Sequence, residues 1–150
     1  MADDFNVQLE AACERISQKI STGMKSRGMR AANELRNASQ LVLRGQRSGR
    51  RYRVPGTKSY YTASAPGEPP AVRTGAFRLS WQTKQEVKDS ADGTSVRSYI
   101  ESNTRTDNGK YLLGSILEEG TSRMAPRPYQ EKIQEKALPK IKQIYKEPYM

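Results

Sequence analysis

Apolar residues in the first third of the chain recur at helical spacing. Between residues 4 and 43 apolar side chains recur every three or four positions, with one interruption at Gly28, which predicts one long helix or two in succession. The members of this stripe are Leu9, Ala12, Ile16, Ile20, Met24, Ala31, Leu35, Ala38 and Val42. Gly28 costs about 1 kcal/mol relative to Ala in a helix, so it can bend the helix without ending it. We expect the stripe to pack on a sheet, Cys13 to be a small core residue and Gly45 to end the helix.

The middle of the chain changes to an alternating pattern. Residues 82–89 and 95–103 each alternate between inward and outward side chains, and Asp92–Gly93 between them is a turn signal. Alternation of this kind is typical of strands with one face buried. The two runs therefore predict an antiparallel pair.

Helical spacing returns in the last third. Residues 110–119 predict a short helix that ends at Gly120. The inward side chains expected for it are Tyr111, Leu112, Ile116 and Leu117. A short third strand is expected over residues 121–125. A final helix should begin near Pro128, with Pro139 kinking or splitting it. Its stripe consists of Tyr129, Ile133, Ala137, Ile141 and either Ile144 or Tyr145.

A proline-rich segment, ASAPGEPPAVRTGAFRLSW, spans residues 63–81 and leads into the alternating segment that begins at residue 82. A residue that precedes proline is restricted to extended geometry, so residues 65–71 should not be helical. The Thr74 hydroxyl can cap a short helix that begins at Gly75. Phe77 and Trp81, four positions apart, would lie on one face of that helix. The segment therefore predicts a stiff extended arm that leads into a capped helix.

These elements predict one α+β domain over residues 1–150. A long N-terminal helix and a C-terminal helix should pack on a small antiparallel sheet, and residues 45–71 should form a long extended or hairpin arm. Only 35% of the residues are apolar. This is below the globular average, so part of the chain should be an extension or be buried only in an assembly.

Positive charge is concentrated around the arm. Between residues 44 and 73 the only acidic residue is Glu68, against Arg44, Arg47, Arg50, Arg51, Arg53, Lys58 and Arg73. Tyrosines are interleaved at positions 52, 60 and 61, and the Pro55–Gly56 turn signal predicts a β-hairpin. Arginine with tyrosine is typical of surfaces that bind protein or nucleic acid. A merely soluble flexible arm, a contact with a neighbouring protein and a contact with DNA all remain open.

Composition argues against an enzyme. The chain carries a net charge of +10 and has no histidine and a single cysteine, which removes the usual general base and the usual zinc ligands. Adjacent Glu118 and Glu119 would point about 100° apart on a helix, so they do not form an acid–base pair. We expect no catalytic residue, no cofactor and no metal. No apolar run approaches the roughly 20 residues of a membrane span. The acidic, polar N-terminus does not predict a secretory signal, so folding in a reducing cytoplasm is expected.

Two segments in combination resemble a known family. The segment at residues 63–81, followed some 40 residues later by LEEGTSRMAPRPY and a C-terminal helix, resembles the neck proteins of long-tailed bacteriophages. These proteins are head–tail connector, or tail-completion, components of siphophage virions. The matching positions are 64–70, Thr74, Gly75, Phe77, Leu79, Leu117, Glu119, Gly120, Thr121 and 125–129, and the resemblance covers essentially the full length.

The resemblance implies a non-enzymatic structural protein that forms a ring at the head–tail junction of the virion. Six copies fit the symmetry of the tail and are favoured, whereas twelve would match the portal. The implied partners are other copies of the chain, adjacent head-completion or adaptor proteins, and tail-terminator or tail-tube proteins. Basic residues that line a lumen could also contact DNA without reading its sequence.

Three groups of residues are expected to contact a neighbouring subunit or ring. The basic and aromatic residues of the arm are Arg47, Arg50, Arg51, Tyr52, Arg53, Tyr60 and Tyr61. The residues that fix the path of the arm are Pro66, Glu68, Pro69 and Pro70. A second contact edge is expected at Glu119, Gly120 and Thr121. The alternative function is a small basic module that binds DNA non-specifically, which the charge of the arm favours and the lack of a recognition-helix signature opposes.

Overall fold

A computed structural model of the chain describes residues 1–149, and its first element is one continuous helix. Helix α1 spans Ala2–Arg44, so Gly28 does not divide it. The helix ends where expected, but Gly45 has φ −56° and ψ 164°. The chain therefore leaves the helix in extended geometry and does not form a left-handed cap.

Four strands form two separate antiparallel pairs. Strands β1 (Arg51–Arg53) and β2 (Tyr60–Thr62) form the predicted hairpin. Strands β3 (Gln82–Ser90) and β4 (Gly93–Glu101) pair along their whole length, from Gln82 opposite Glu101 to Ser90 opposite Gly93. The predicted third strand is wrong, because residues 121–125 form only a single bridge between Thr121 and Met124. The turn between Thr121 and Met124 leaves too little extended backbone for a strand to form.

Gly28 allows α1 to approach the β3–β4 pair closely. A Cβ atom at Gly28 would overlap Ser98 Oγ and would lie 3.3 Å from Val96 Cγ1. Beside it, Gln85 Nε2 donates to the carbonyl of Lys25 at 2.8 Å and to Ser98 Oγ at 3.0 Å. The glycine that weakens the helical pattern in the sequence is thus the position where helix meets sheet.

Substitution of Gly28 with Ala is expected to destabilise the protein, although it improves helix propensity. Alanine gains up to about 1 kcal/mol in a helix, but here its methyl group overlaps Ser98. Gly23→Ala in the same helix is the matched control. Its Cβ would meet only Tyr149, with the ring at 3.2 Å, and this side chain is exposed, so the ring can shift by a few tenths of an ångström. In urea unfolding, Gly23→Ala should therefore be neutral or stabilising while Gly28→Ala is destabilising. Equal effects would contradict the close approach.

The second half of α1 also packs against the last helix. Helix α4 spans Gln130–Lys146, and Arg30 forms a bidentate ion pair with Glu147 at 2.7 and 2.9 Å. Pro139 lies inside α4 but does not split it. Proline removes the donor for the carbonyl four residues earlier. Both Pro139 and Glu135 are on the exposed side, where solvent can hydrate that carbonyl.

The two short helices differ from their predicted ranges. Helix α2 spans Ala76–Leu79 and helix α3 spans Leu113–Glu119. Trp81 lies beyond α2, because the backbone turns directly into β3. Tyr111 and Leu112 were expected to face inward and are instead exposed. They precede α3, and their orientation follows an extended bridge, in which Leu112 pairs with Arg105.

The hydrophobic core lies where the second half of α1 meets α4 and the residues between α2 and β3. Its buried members are Ala38, Leu43, Trp81, Tyr129, Ile133 and Ala137. Ile144 is the buried residue of the pair left open for α4, and Tyr145 is exposed. The α+β class, with a long N-terminal helix and a C-terminal helix beside small antiparallel sheets, is confirmed.

The first half of α1 does not contribute to this core. All of residues 1–20 are exposed except Ala12, which is half-buried. The expectation that Leu9, Ile16 and Ile20 pack on a sheet is therefore wrong, as is the expectation that Cys13 is buried. The physical reason is length, since the buried residues of the 43-residue helix begin at Arg27, and only Thr94 of β4 reaches the surface beside Ile16 and Ile20. We call residues 1–20 the projecting end of α1.

Candidate functional site

The proline-rich segment at residues 63–81 and the segment at residues 117–129 meet in space. The Gly67 amide donates to the carbonyl of Pro126 at 3.2 Å. Further in, Phe77, Trp81 and Tyr129 form a triangle of rings with centroids 5.7, 5.7 and 5.9 Å apart, each pair in an edge-to-face arrangement. The Tyr129 hydroxyl is satisfied by the Gly114 carbonyl at 3.0 Å. This aromatic cluster holds the exit of the arm against the start of α4.

Arg47 anchors the arm to the body of the chain. Its guanidinium donates to four backbone carbonyls, those of Val42 (2.8 Å), Gln46 (2.9 Å), Pro69 (2.7 Å) and Pro70 (3.1 Å). Burial lowers the pKa of Arg47, and the nearby carboxylate of Glu68 partly offsets this effect. An arginine remains charged under these conditions. Arg47 was expected to contact a neighbouring subunit. Its hydrogen bonds instead join the end of α1 to the proline-rich segment of the same chain.

Glu68 also holds the base of the arm closed. Its carboxylate accepts hydrogen bonds from the Ser48 hydroxyl and amide and from the Ala65 amide, the last at 2.9 Å. These bonds, the Ser48 hydroxyl first, lower the pKa of Glu68 to about 2. The only acidic residue of the arm therefore has a structural task within the chain.

The depressed pKa of Glu68 predicts a loss of stability in acid. A carboxylate with a lower pKa in the folded state stabilises the protein above its unfolded pKa of about 4.5, and this contribution disappears as the pH falls towards 2. Glu68→Gln should remove that pH dependence. We expect the stability difference between the parent and Glu68→Gln, measured by urea unfolding, to shrink from pH 6 to pH 3. A constant difference would contradict the assignment. Glu147 is a second carboxyl with a lowered pKa. Glu147→Gln, measured in parallel, gives the part of the pH dependence that comes from Glu147.

Two of the three prolines that were expected to set the path of the arm do so by burial. Pro69 and Pro70 are buried, whereas Pro66 is exposed. The opposite strand of the arm approaches closely at Gly49, whose amide donates to the Ala63 carbonyl at 2.9 Å. A Cβ atom at Gly49 would overlap that carbonyl oxygen. The base of the arm is therefore tightly closed, and the hairpin extends from it.

The outer part of the hairpin presents arginine and tyrosine to solvent. Arg51 and Arg53 share one face with Tyr60, because residues two apart and residues paired across the strands lie on the same side. Arg51 lies 4.8 Å from the centroid of the exposed Tyr60 ring. The rings of Tyr52 and Tyr61 pack together on the other face, with centroids 6.0 Å apart. Of the predicted contact residues, Arg50, Arg51, Tyr52, Arg53 and Tyr60 are exposed and Tyr61 is half-buried.

The predicted second contact edge is a tight turn after α3. Gly120 has φ 78°, a value that favours glycine, and its amide donates to the Ile116 carbonyl at 2.8 Å. Glu119 and Thr121 are exposed on either side of it. The neighbouring Glu118, for which no role was predicted, accepts from the Tyr129 amide at 2.8 Å and so caps α4. Its capping role depends on a tertiary turn that sequence spacing alone does not reveal.

A groove of about 750 Å³ lies between the arm, α2 and α3. Its apolar lining includes Leu43, Phe77, Val72, Leu113 and Leu117, and its basic residues are Arg73, Arg78, Arg105 and Arg127. Within residues 1–149, Arg78 Nε and Arg127 Nη1 are buried and have no hydrogen-bond partner. Tyr61 and Ala63 also line the groove, so it continues the surface of the hairpin. Sequence reasoning missed this groove because its residues come from six separate stretches of the chain.

Metal-ligating groups and membrane-spanning helices are both absent from residues 1–149. No group of three or more His, Cys, Asp or Glu side chains is placed to hold a metal ion in this range. No helix within it is long and apolar enough to cross a membrane.

Known proteins add no further constraint. Comparison of the chain with family models, with curated proteins and with solved structures found no match. The geometry of the arm, the groove and the projecting end of α1 is therefore the basis for a functional assignment.

Proposed function

We propose that the chain is a structural component of a phage virion that forms a homo-oligomeric ring at the head–tail junction. The observation that carries the proposal is the combination of a closed, anchored arm with a long helix end that has no apolar partner within residues 1–149. Exposed apolar stripes of this length mark interaction surfaces. The arm is fixed at its base by Arg47 and Glu68, so it loses less conformational freedom on docking than a flexible loop would.

The resemblance to neck proteins supports the same proposal independently. Its two segments, far apart in the sequence, form one cluster through Phe77, Trp81 and Tyr129. Segments that form one structural unit are expected to be retained together in a family. We propose six copies in the ring, with the adjacent head-completion and tail proteins as further partners. The role is one of joining, without a catalytic step or a cofactor.

A truncated hairpin tests this proposal without removing the anchors of the arm. Residues 51–62 are replaced with Asn-Gly, which the facing ends at Arg50 and Ala63, joined at 2.9 Å, can accommodate. The variant should fold normally by circular dichroism because Arg47 and Glu68 are kept. In the genome that encodes the chain, it should yield separate heads and tails, visible by electron microscopy. Normal yields of joined, infectious particles, or absence of the parent chain from purified particles, would contradict the proposal.

A second candidate function is non-specific DNA binding, because the hairpin exposes Arg50, Arg51, Arg53 and Lys58 without a nearby carboxylate. Four phosphate contacts would give a log–log slope of affinity against salt of about −3.6. Arg51→Glu with Arg53→Glu should then reduce binding at every sequence tested. Retention on duplex DNA that lacks this salt dependence would exclude the DNA-binding function and leave the protein-contact function.

A further inference from the structure

The two ends of α1 carry surfaces of opposite charge. Residues 1–14 contain Asp3, Asp4, Glu10 and Glu14 and no lysine or arginine. At the other end of the helix, residues 50–62 carry four basic side chains and no carboxylate. The chain as a whole is strongly basic, so this acidic segment is the exception and calls for a physical reason.

These two surfaces cannot meet within one chain. Helix α1 has 43 residues in one continuous element. At 1.5 Å per residue, its ends are about 60 Å apart. The arm begins at the C-terminal end of the helix, and Arg47 and Glu68 hold its base there. The charge complementarity can be satisfied only between two molecules.

We infer that the arm and groove of one copy bind the projecting end of α1 of a second copy, a contact that rests on the proposed ring and names its interface. The occupant is thus another copy of this chain. Such a contact joins two different surfaces. Each copy therefore has one groove and one projecting helix end with which to bind two neighbours. Repeated head-to-tail contacts close into a ring if the rotation allows and otherwise form an open filament.

The projecting end has two faces that need different surfaces. Phe5, Leu9, Ile16 and Ile20 recur four or seven positions apart on one face, and this face is the continuation of the stripe that packs in the core. At 100° per residue, Glu10 and Glu14 lie towards the opposite face. The helix end therefore requires an apolar surface and a basic surface side by side.

The arm and the groove provide these two surfaces next to each other. The groove has an apolar lining that includes Leu113 and Leu117. The same lining carries Arg73 and Arg105, both exposed, whereas Arg51 and Arg53 lie on the hairpin face opposite to Tyr61. Burial of the apolar stripe supplies most of the affinity, because exposed ion pairs contribute little on their own. The charges set the orientation of the helix end and exclude a contact between two arms or two helix ends.

The single cysteine of the chain makes the contact directly testable. Cys13 is exposed on the projecting end, between Glu10 and Glu14. Ser59→Cys places a second thiol in the hairpin with a minimal change of shape. A short bis-maleimide cross-linker applied to the full-length variant should give a ladder of oligomers. Peptide mass spectrometry should identify links between Cys13 of one copy and the thiol introduced at position 59 of the next. Gln143→Cys, at an exposed position of α4 outside the groove lining, is the matched control and should give only background.

Charge reversal in the Ser59→Cys background tests the pairing itself. Glu10→Lys with Glu14→Lys, or Arg73→Glu with Arg105→Glu, places like charges opposite each other and should reduce the cross-linked yield about tenfold. A mixture of the two reversed proteins restores opposite charges at the junctions where a reversed helix end meets a reversed groove, so the yield should recover. Recovery on mixing cannot be explained by misfolding of either variant.

Three outcomes would overturn the contact. They are links between Cys13 and Cys13 alone, a ladder that neither reversal affects, and no oligomer at any protein concentration tested. If closed oligomers persist despite both reversals, the ring stands and only this interface is wrong. Failure of the proposed function is read elsewhere, from the absence of the chain in purified particles, so the two failures are distinguishable.

Discussion

Replacement of Tyr129 with alanine should lower the free energy of unfolding by about 3–5 kcal/mol, the range for loss of a buried aromatic side chain. Tyr129 is only 1% exposed and contacts both Phe77 and Trp81. The cavity would open where α4, the α2–β3 junction and α1 meet, and neighbouring elements cannot all collapse into it. A loss of this size is a large fraction of the stability of a typical domain.

Two controls separate packing from hydrogen bonding at this site. Tyr129→Phe keeps the ring but leaves the Gly114 carbonyl without its donor, so we expect a loss of about 1 kcal/mol. Tyr145→Ala, on the exposed side of the same helix, should change stability by less than about 0.5 kcal/mol. Urea unfolding followed by circular dichroism measures all three. A loss from Tyr129→Ala no larger than that from Tyr145→Ala would contradict the central position of the aromatic cluster.

Replacement of Arg47 with methionine should have the next largest effect, a loss of about 2–3 kcal/mol, since a charged hydrogen-bond donor to partly buried carbonyls is removed. Methionine keeps the aliphatic stem, so the change reports on the donors. The carbonyls of Val42, Pro69 and Pro70 would all lose their shared partner. The base of the arm should then open, and amide exchange should accelerate over residues 48–70 before the rest of the domain unfolds.

Arg50→Met is the matched control for this change. It removes the same charge from the same arm, at an exposed position whose side chain has no hydrogen bond within residues 1–149. Its stability and its amide exchange should stay close to those of the parent. Arg47→Lys should behave like Arg47→Met, because one ammonium group cannot reproduce a planar fork directed at four carbonyls. Equal effects of Arg47→Met and Arg50→Met would show that the arm does not depend on this anchor.

The hairpin and its turn were predictable from the sequence because their signals are local. Proline and glycine at residues 55 and 56 fix the turn, and the flanking residues have strand propensity. The roles of Arg47 and Glu68 were not predictable in this way. Both stand in a run of charged residues and were assigned to intermolecular contact, whereas their partners include backbone groups about 20 residues away. Only the closed base of the arm places those groups within reach.

For the apolar stripe of α1, the secondary structure was predictable from the sequence and the burial was not. Its spacing correctly predicts helical structure over the whole stretch, with one helix or two left open, because periodicity depends on the residues themselves. It cannot indicate how much of the stripe is covered, because coverage depends on the lengths of the elements packed against it. Ala31 and Ala38 are buried under α4 and the β3–β4 pair, while Leu9 and Ile16 continue the same face into solvent. Cys13 was misplaced for the same reason.

The sequence by itself determined the α+β class, the order of the main elements, the turns and the position of the positive charge, since each follows from local propensity, periodicity or composition. Tertiary structure alone decided which charges are internal anchors, which half of α1 is left without a partner and how the groove is formed. These features depend on distances between residues far apart in the sequence. They also carry the functional proposal, because a basic arm and an acidic helix end about 60 Å apart can pair only between copies.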